Sequence, residues 1–74
     1  MTLPPKHSNG YASLARRLKE ARLEAGFTQV MAAGRLHKPQ SFISKCESGE
    51  RRVDVLELKA FAVLYGKDLA FFDV

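Results

Sequence analysis

The sequence predicts an all-α domain built from five short helices. Three observations support this prediction: apolar residues recur at spacings of three and four, residues suited to helix N-caps precede several apolar stretches, and glycines follow them. The chain has 74 residues, which is near the lower size at which one domain can bury its own core. We therefore expect one small domain over 9–74 and a flexible arm over 1–8, where two adjacent prolines occur without apolar periodicity.

The first predicted helix follows the arm and turns one apolar stripe inward. That stripe consists of Tyr11, Leu14, Ala15, Leu18, Ala21, Arg22 and Ala25. Gly26 is expected to end the helix, after which Phe27 returns into the core.

Residues 28–49 are predicted to form two more helices joined by a tight turn. Thr28 is suited to cap the first of them, over 29–36, because its hydroxyl can accept a hydrogen bond from a backbone N–H. Pro39 disfavours the α conformation in the residue before it, so the chain must turn there before the next helix begins at Gln40.

The distribution of small and large residues indicates that these two helices cross at close range. Ala33 lies midway along the first of them, where a small side chain permits a close approach. Leu36, Ile43 and Cys46 are placed to fill the angle between the helices. This is the layout of a helix-turn-helix unit.

The same stretch resembles the phage-repressor-like Cro/CI family, also called the xenobiotic-response-element type. The residues that carry the resemblance are Thr28, Gln29, Ala33, Leu36, Ile43, Ser44, Glu47 and Gly49, flanked by the run Arg-Leu-Glu-Ala-Gly over 22–26 and the helix after Asp54. The resemblance covers residues 11–72. It implies a lambda-repressor-like fold and a sequence-specific regulator, expected to be a repressor, that binds double-stranded DNA as a homodimer on a palindromic operator.

Several positions depart from the family pattern. His37 stands where glycine is usual, in a turn that needs positive φ, which histidine tolerates better than a β-branched residue does. Pro39 replaces a serine or threonine cap, and Cys46 replaces a larger aliphatic residue. Ala32 replaces a leucine, so we expect either a looser core or compensation by the neighbouring residues 30–31.

Arg22 is the one charged residue on the inward stripe of the first helix. A buried guanidinium needs a fixed carboxylate partner. The resemblance implies that this partner is Glu47 and that the pair forms a bidentate ion pair with a structural role.

The resemblance also implies that the helix after the turn enters the major groove by its N-terminal end. The candidate residues for DNA base readout are Gln40, Ser41, Ser44 and Lys45. Gln40 is the best candidate because its amide can donate to N7 and accept from the N6 amino group of one adenine, whereas Lys45 suits either guanine or a phosphate. Phe42 has two interpretations of equal weight, contact with a thymine methyl group or shielding of the turn.

A second set of residues is expected to contact DNA phosphates. These candidates are Gln29, Lys38, Arg51 and Arg52. In the family, a glutamine at the place of Gln29 holds a backbone phosphate with the help of the helix dipole.

The helix over 55–65 is predicted to begin at Asp54, with Glu57 completing a capping box. Its inward stripe is Val55, Leu58, Phe61, Ala62 and Tyr65. Asp68 then caps a last turn, in which Leu69 and Phe72 are expected to pack inward.

Several apolar residues have nothing in this small chain to cover them. We interpret them as a homodimer interface, the alternative being a surface with scattered hydrophobic residues. This predicted interface consists of Leu56, Ala60, Val63 and Phe71.

The charge distribution is compatible with a polyanionic partner. The formal net charge is +4, and residues 1–52 hold ten basic against four acidic residues, a balance of +6, whereas 53–74 hold two against four, a balance of −2. Solvated helix faces explain these charges equally well.

Composition argues against several other classes of protein. The lone Cys46 permits no internal disulfide and no zinc finger, and no His and acid are placed to activate it, so we expect no enzyme, no cofactor and no metal. No apolar run reaches the roughly 18 residues of a membrane helix and no signal-peptide core is present, so we expect a cytoplasmic protein. The competing hypothesis is a protein-binding module, such as an antitoxin, that uses the same helices to dock a toxin or another regulator.

Overall fold

The computed structural model of the protein describes residues 10–72, so the arm predicted over 1–8 lies outside the described residues, as does the side chain of Tyr11. Within 10–72 the chain forms four α-helices, a short 3-10 helix and no strand. The elements are α1 (Gly10–Glu24), α2 (Gln29–Leu36), α3 (Gln40–Ser48), α4 (Val55–Tyr65) and the 3-10 helix Leu69–Phe72. The prediction of an all-α fold is confirmed for residues 10–72, and the element expected as a fifth helix is this 3-10 turn.

Side-chain caps mark the starts of α2, α4 and the 3-10 helix, as the sequence predicts. The Thr28 hydroxyl accepts the backbone N–H three residues later at 3.0 Å. At α4, the Asp54 carboxylate accepts the N–H of Glu57 at 2.8 Å, and the Glu57 carboxylate accepts the N–H of Asp54 at 3.1 Å, which completes the capping box. The Asp68 carboxylate accepts the N–H of Phe71 at 3.2 Å and opens the 3-10 helix.

The turn between α2 and α3 depends on the left-handed conformation of His37. Its φ of 57° is the only positive φ of a non-glycine residue in the described part of the chain. The N–H groups of His37 and Lys38 donate to the carbonyls of Gly34 and Ala33 at 3.3 and 3.0 Å, which closes α2. The expected positive φ is therefore confirmed, and Pro39 follows as the N-cap of α3 without a side-chain hydrogen bond.

The core lies where α3 packs against α1 and α2, and α4 and the 3-10 helix complete it by packing against α1 and against each other. Its largest fully buried side chains are Leu18, Ile43, Cys46, Phe61 and Phe72. Aromatic rings extend it, because Phe61 stacks on Phe42 with centroids 6.0 Å apart and on Tyr65 with centroids 5.8 Å apart. Ala33 is buried at the crossing of α2 and α3, where the sequence requires a small residue.

One prediction about the core is wrong, and one of the two alternatives given for Ala32 disagrees with the structure. Val55 is 60% exposed, because it is the first residue of α4 and the inward stripe begins one turn later, at Leu58. Val30 and Met31 are also exposed, so they do not compensate for Ala32. Ala32 itself is fully buried, so the core closes around the smaller side chain.

The hydroxyl of Tyr65 is a buried polar group without a hydrogen-bond partner in the described residues. Its burial raises the pKa of Tyr65, because the phenolate would have to form away from water.

Among the described helices, none has the length and apolar character needed to cross a membrane.

Candidate nucleic-acid interface

Helix α3 has one face in the core and the other in solvent. Phe42, Ile43 and Cys46 are buried. The four residues predicted to read bases, Gln40, Ser41, Ser44 and Lys45, are all exposed. At 100° per residue these four cover an arc of roughly 140°, so they form one continuous polar ridge along α3.

Phe42 does not belong to that ridge. Its side chain is only 8% exposed and stacks against Phe61 with an angle of 9° between the rings. The Lys38 ammonium and the Arg51 guanidinium lie 5.2 and 4.6 Å from the centroid of the Phe42 ring. Of its two interpretations, shielding near the turn agrees with the structure, and contact with a thymine methyl group does not.

A buried ion pair holds α3 in place. Arg22 of α1 donates from Nε to Glu47 Oε2 at 2.6 Å and from Nη2 to Glu47 Oε1 at 3.0 Å, and both side chains are less than a tenth exposed, at 7% and 5%. Its Nη1 donates to the carbonyl of Phe27 at 2.8 Å, and the hydrogen bond to Glu47 raises the pKa of Arg22. The structure thus joins α1, the loop after it and α3 through one guanidinium.

A chain of amide hydrogen bonds runs from this ion pair to the protein surface. Gln29 Nε2 donates to Glu47 Oε1 at 3.2 Å, and Gln40 Nε2 donates to Gln29 Oε1, also at 3.2 Å. Sequence reasoning treated Gln29 and Gln40 separately and missed this connection. The only sequence signal is that a glutamine occupies the first residue of both α2 and α3.

Arg51, a predicted phosphate contact, already forms an ion pair within the protein, and its side chain is 39% exposed. Its guanidinium donates to both carboxylate oxygens of Glu57 at 2.8 and 2.9 Å and to the carbonyl of Arg52 at 2.7 Å. The hydrogen bonds to Arg51 lower the pKa of Glu57, and those to Glu57 raise the pKa of Arg51. Because Glu57 also caps α4, Arg51 fixes the loop after α3 onto the start of α4.

The other predicted phosphate contacts lie around the ridge. Lys38, which precedes α3 in the sequence, and Arg52, which follows it, are both exposed. Gln29 is half-buried at the start of α2. Only one of the two N–H groups of Gln29 Nε2 is needed for Glu47. Phosphate contact remains a prediction for all four residues.

The predicted dimer interface divides into two parts. Leu56 and Val63 are 72% and 83% exposed, and Ala60 on the same face of α4 is exposed as well. Phe71 is half-buried, because its ring packs edge-on against Phe72 with centroids 5.2 Å apart. Only the α4 residues therefore form an uncovered apolar face, hereafter the α4 face (Leu56, Ala60 and Val63).

The described residues contain no cluster of candidate metal ligands, and their single cysteine, Cys46, is buried. Among residues 10–72, no three His, Cys, Asp or Glu side chains come close enough to hold a metal ion. Burial raises the pKa of the Cys46 thiol, which disfavours the nucleophilic thiolate.

Comparison with known proteins agrees with this geometry. The sequence profile of the helix-turn-helix domain matches residues 13–70, which include α2, α3, α4 and most of α1. No curated protein matches the sequence.

Proposed function

The chain belongs to the helix-turn-helix domain family, and on that premise we propose that it is a sequence-specific regulator of transcription that binds double-stranded DNA. The observation that carries the proposal is the exposed polar ridge of α3, held on a helix whose opposite face is buried and anchored by the Arg22–Glu47 pair. A rigid helix of this kind fits the major groove of B-DNA, where each base pair presents a distinct pattern of donors and acceptors.

Within the ridge, Gln40 is the proposed main reader of sequence. Its bond to Gln29 uses one N–H and leaves Oε1 and the second N–H for DNA. That pair of groups matches the N6 amino group and N7 of adenine. Ser41, Ser44 and Lys45 are proposed to contact neighbouring bases or phosphates.

Phosphate contacts are proposed to place the ridge in register with the groove. Gln29 can donate its remaining N–H to a phosphate at the positive end of α2, and Lys38 and Arg52 can contact the backbone on either side. Arg51 is bonded to Glu57, so its proposed contribution to phosphate binding is its positive charge, exerted from within that ion pair. Because each neutralised phosphate releases counterions, log affinity should fall with log salt by a slope of about −0.9 per phosphate.

We propose that the regulator is a repressor of the Cro/CI type, cytoplasmic and without cofactor, that acts as a homodimer. One copy of so small a domain buries too little surface for tight specific binding, whereas a two-fold dimer reaches half-sites about one helical turn apart on a palindromic operator. The exposed α4 face supports the dimer, because a symmetric interface uses the same patch on both copies.

The test begins with selection of bound fragments from a random pool of duplexes, followed by affinity measurements on the selected sequence. We expect Gln40→Ala and Lys45→Ala each to weaken specific binding by roughly 5- to 150-fold, the equivalent of about 1–3 kcal/mol. Lys19→Ala removes the same charge from an exposed position on α1 and should change affinity less than about twofold. A wild-type protein that binds no duplex at low salt would refute the proposal.

A second candidate function is docking of a toxin or another regulatory protein. The observation that favours it is the α4 face, which provides apolar area for a protein partner as well as for a second copy. The double variant Gln40→Ala/Lys45→Ala separates the two functions: loss of DNA binding with an intact dimer supports the DNA-binding function, whereas a partner bound equally by wild type and variant, with no DNA affinity at low salt, supports docking.

A further inference from the structure

We infer that the carboxylate of Glu47, which lies beneath the DNA-facing surface, determines which base Gln40 recognises. The inference rests on the proposed DNA-binding function and makes Glu47 a positioning residue that acts through Gln29. It derives from the direction of the hydrogen bonds that connect Glu47, Gln29 and Gln40.

The direction begins at Glu47 because an ionised carboxylate can only accept hydrogen bonds. Glu47 Oε1 already accepts from Arg22 Nη2 at 3.0 Å, and the group that faces it from α2 is the amide of Gln29, 3.2 Å away. Gln29 must therefore turn its NH₂ group toward Glu47. Its carbonyl oxygen is then left on the outer side, toward α3.

The same reasoning applies to the next step of the chain. The carbonyl oxygen of Gln29 can only accept, so the amide of Gln40 must turn an N–H toward it, at 3.2 Å. Gln40 is left with one acceptor and one donor for DNA. Adenine offers the complementary donor and acceptor in the major groove, whereas guanine offers two acceptors, O6 and N7.

Glu47 is suited to this role because it cannot turn round. Two hydrogen bonds to Arg22 hold it, and its side chain is 5% exposed. The two oxygens of a carboxylate are also equivalent, so a rotation of the group by half a turn changes nothing. A glutamine amide, by contrast, reverses donor and acceptor when it turns.

The substitution Glu47→Gln should therefore reverse the chain. Both oxygens of Glu47 accept from Arg22, but the bond from Nε is the shorter, at 2.6 Å against 3.0 Å from Nη2. The new amide should therefore keep its oxygen toward Nε and place its NH₂ group toward Gln29, giving up the bond from Nη2. Gln29 would then accept from residue 47 and donate to Gln40. Gln40 would accept from Gln29 and present two N–H groups, which suit the two acceptors of guanine.

The experiment measures base preference at one position of the selected duplex. That position is identified as the base pair at which Gln40→Ala loses discrimination, and affinities are compared for adenine and guanine there. Wild type should prefer adenine by about 5- to 100-fold. Glu47→Gln should reduce this preference at least fivefold or reverse it toward guanine, while preferences at the other positions stay the same.

A second variant protects the test against loss of folding in Glu47→Gln. Gln29→Met keeps the Arg22–Glu47 pair and removes only the amide that orients Gln40, so its thermal melt should stay close to that of wild type. It should nevertheless lose most of the adenine preference. In the Gln40→Ala background, neither Gln29→Met nor Glu47→Gln should alter the preference at this base pair. If Glu47 and Gln29 had only a structural role, each single variant would instead lower the affinity for all duplexes equally.

Each result decides the matter. An adenine preference that both variants retain, or a wild-type preference for another base at this position, overturns the inference and leaves the proposed function standing. A wild type that binds no duplex overturns both.

Discussion

At the scale of single residues, Arg22 is the side chain on which most of the structure converges. Three of its N–H groups have acceptors, two on Glu47 and one on the Phe27 carbonyl. These bonds offset the cost of burying two charges, so the pair itself adds little to stability. Removal of one partner is a different matter, because the other charge would be left buried and unpaired.

We predict that Arg22→Ala lowers the free energy of unfolding by roughly 3–5 kcal/mol, measured by urea denaturation. The matched control is Glu20→Ala, which breaks the pair between Arg17 and Glu20, whose side chains are 43% and 48% exposed. That change should cost less than about 1 kcal/mol. Denaturation curves that coincide for the two variants would contradict the structural role of Arg22.

His37 leads to a prediction of the opposite sign. A non-glycine residue in the left-handed region is strained by roughly 1–2 kcal/mol, whereas glycine adopts this region freely. We therefore expect His37→Gly to raise the free energy of unfolding by about 1 kcal/mol, since the entropy of glycine in the unfolded chain cancels part of the gain. His37→Val, which is β-branched, should lower it. A His37→Gly variant that is less stable than wild type would contradict this prediction.

At the scale of helices, the sequence predicts best what is determined locally. The caps at Thr28, Asp54 and Asp68 follow from side chains within a few residues of the backbone groups they serve. The positive φ of His37 was expected from the family resemblance, in which glycine is usual at this place. Exposure of Leu56 and Val63 follows from helical periodicity.

Features that depend on how helices cross were harder to predict. Periodicity gives the direction of the Val55 side chain but not whether another element covers it, and at the first residue of α4 this side chain is 60% exposed. Likewise, the pairing of Gln29 with Gln40 depends on the relative placement of α2 and α3, which spacing alone does not determine. The Arg51–Glu57 pair was missed because both residues already had a predicted role, on phosphate and in the capping box.

Glu57 provides a prediction about acid stability at this scale. Hydrogen bonds from Arg51 hold its pKa below the ordinary value of 4.5 in the folded protein. The unfolded state then binds the proton more readily, so the contribution of Glu57 to stability is complete above pH 4.5 and is lost as the pH falls through the lowered value.

Denaturant titrations at a series of acidic pH values can measure this contribution. Between pH 4.5 and the lowered value, Glu57→Gln should lose less stability than wild type, because its amide does not titrate. Parallel losses in the two proteins would show that the Arg51–Glu57 pair does not contribute. Glu50→Gln serves as the control and should follow wild type, because Glu50 is exposed and its carboxylate forms no ion pair among the described residues.

At the scale of the whole molecule, the α4 face is the main feature that one chain does not explain. It exposes Leu56 and Val63 on a helix whose other side is in the core. We predict that Val63→Glu yields a monomer at concentrations where wild type is dimeric, measured by sedimentation equilibrium, because a charge placed in a symmetric interface meets its own copy.

The control for this measurement is Leu23→Glu, which places the same charge at another exposed apolar residue, on α1 and 57% exposed. It should leave the association unchanged, and neither variant should unfold, since both positions face solvent. A wild type that is monomeric at all concentrations would remove the dimer from the proposed function without touching the α3 ridge.

The buried hydroxyl of Tyr65, which has no hydrogen-bond partner in the described residues, sets an upper limit to the pH at which the fold is stable. An exposed tyrosine, as in the unfolded chain, ionises near the ordinary pKa of 10.0, whereas burial raises the pKa of Tyr65 in the folded state. The contribution of Tyr65 to stability is therefore complete below pH 10.0 and declines as the pH rises above it. The phenolate should therefore become visible by ultraviolet absorbance only as helical circular dichroism disappears. In Tyr65→Phe the helices should persist to a higher pH. That result would identify ionisation of the Tyr65 hydroxyl as the step that drives alkaline unfolding.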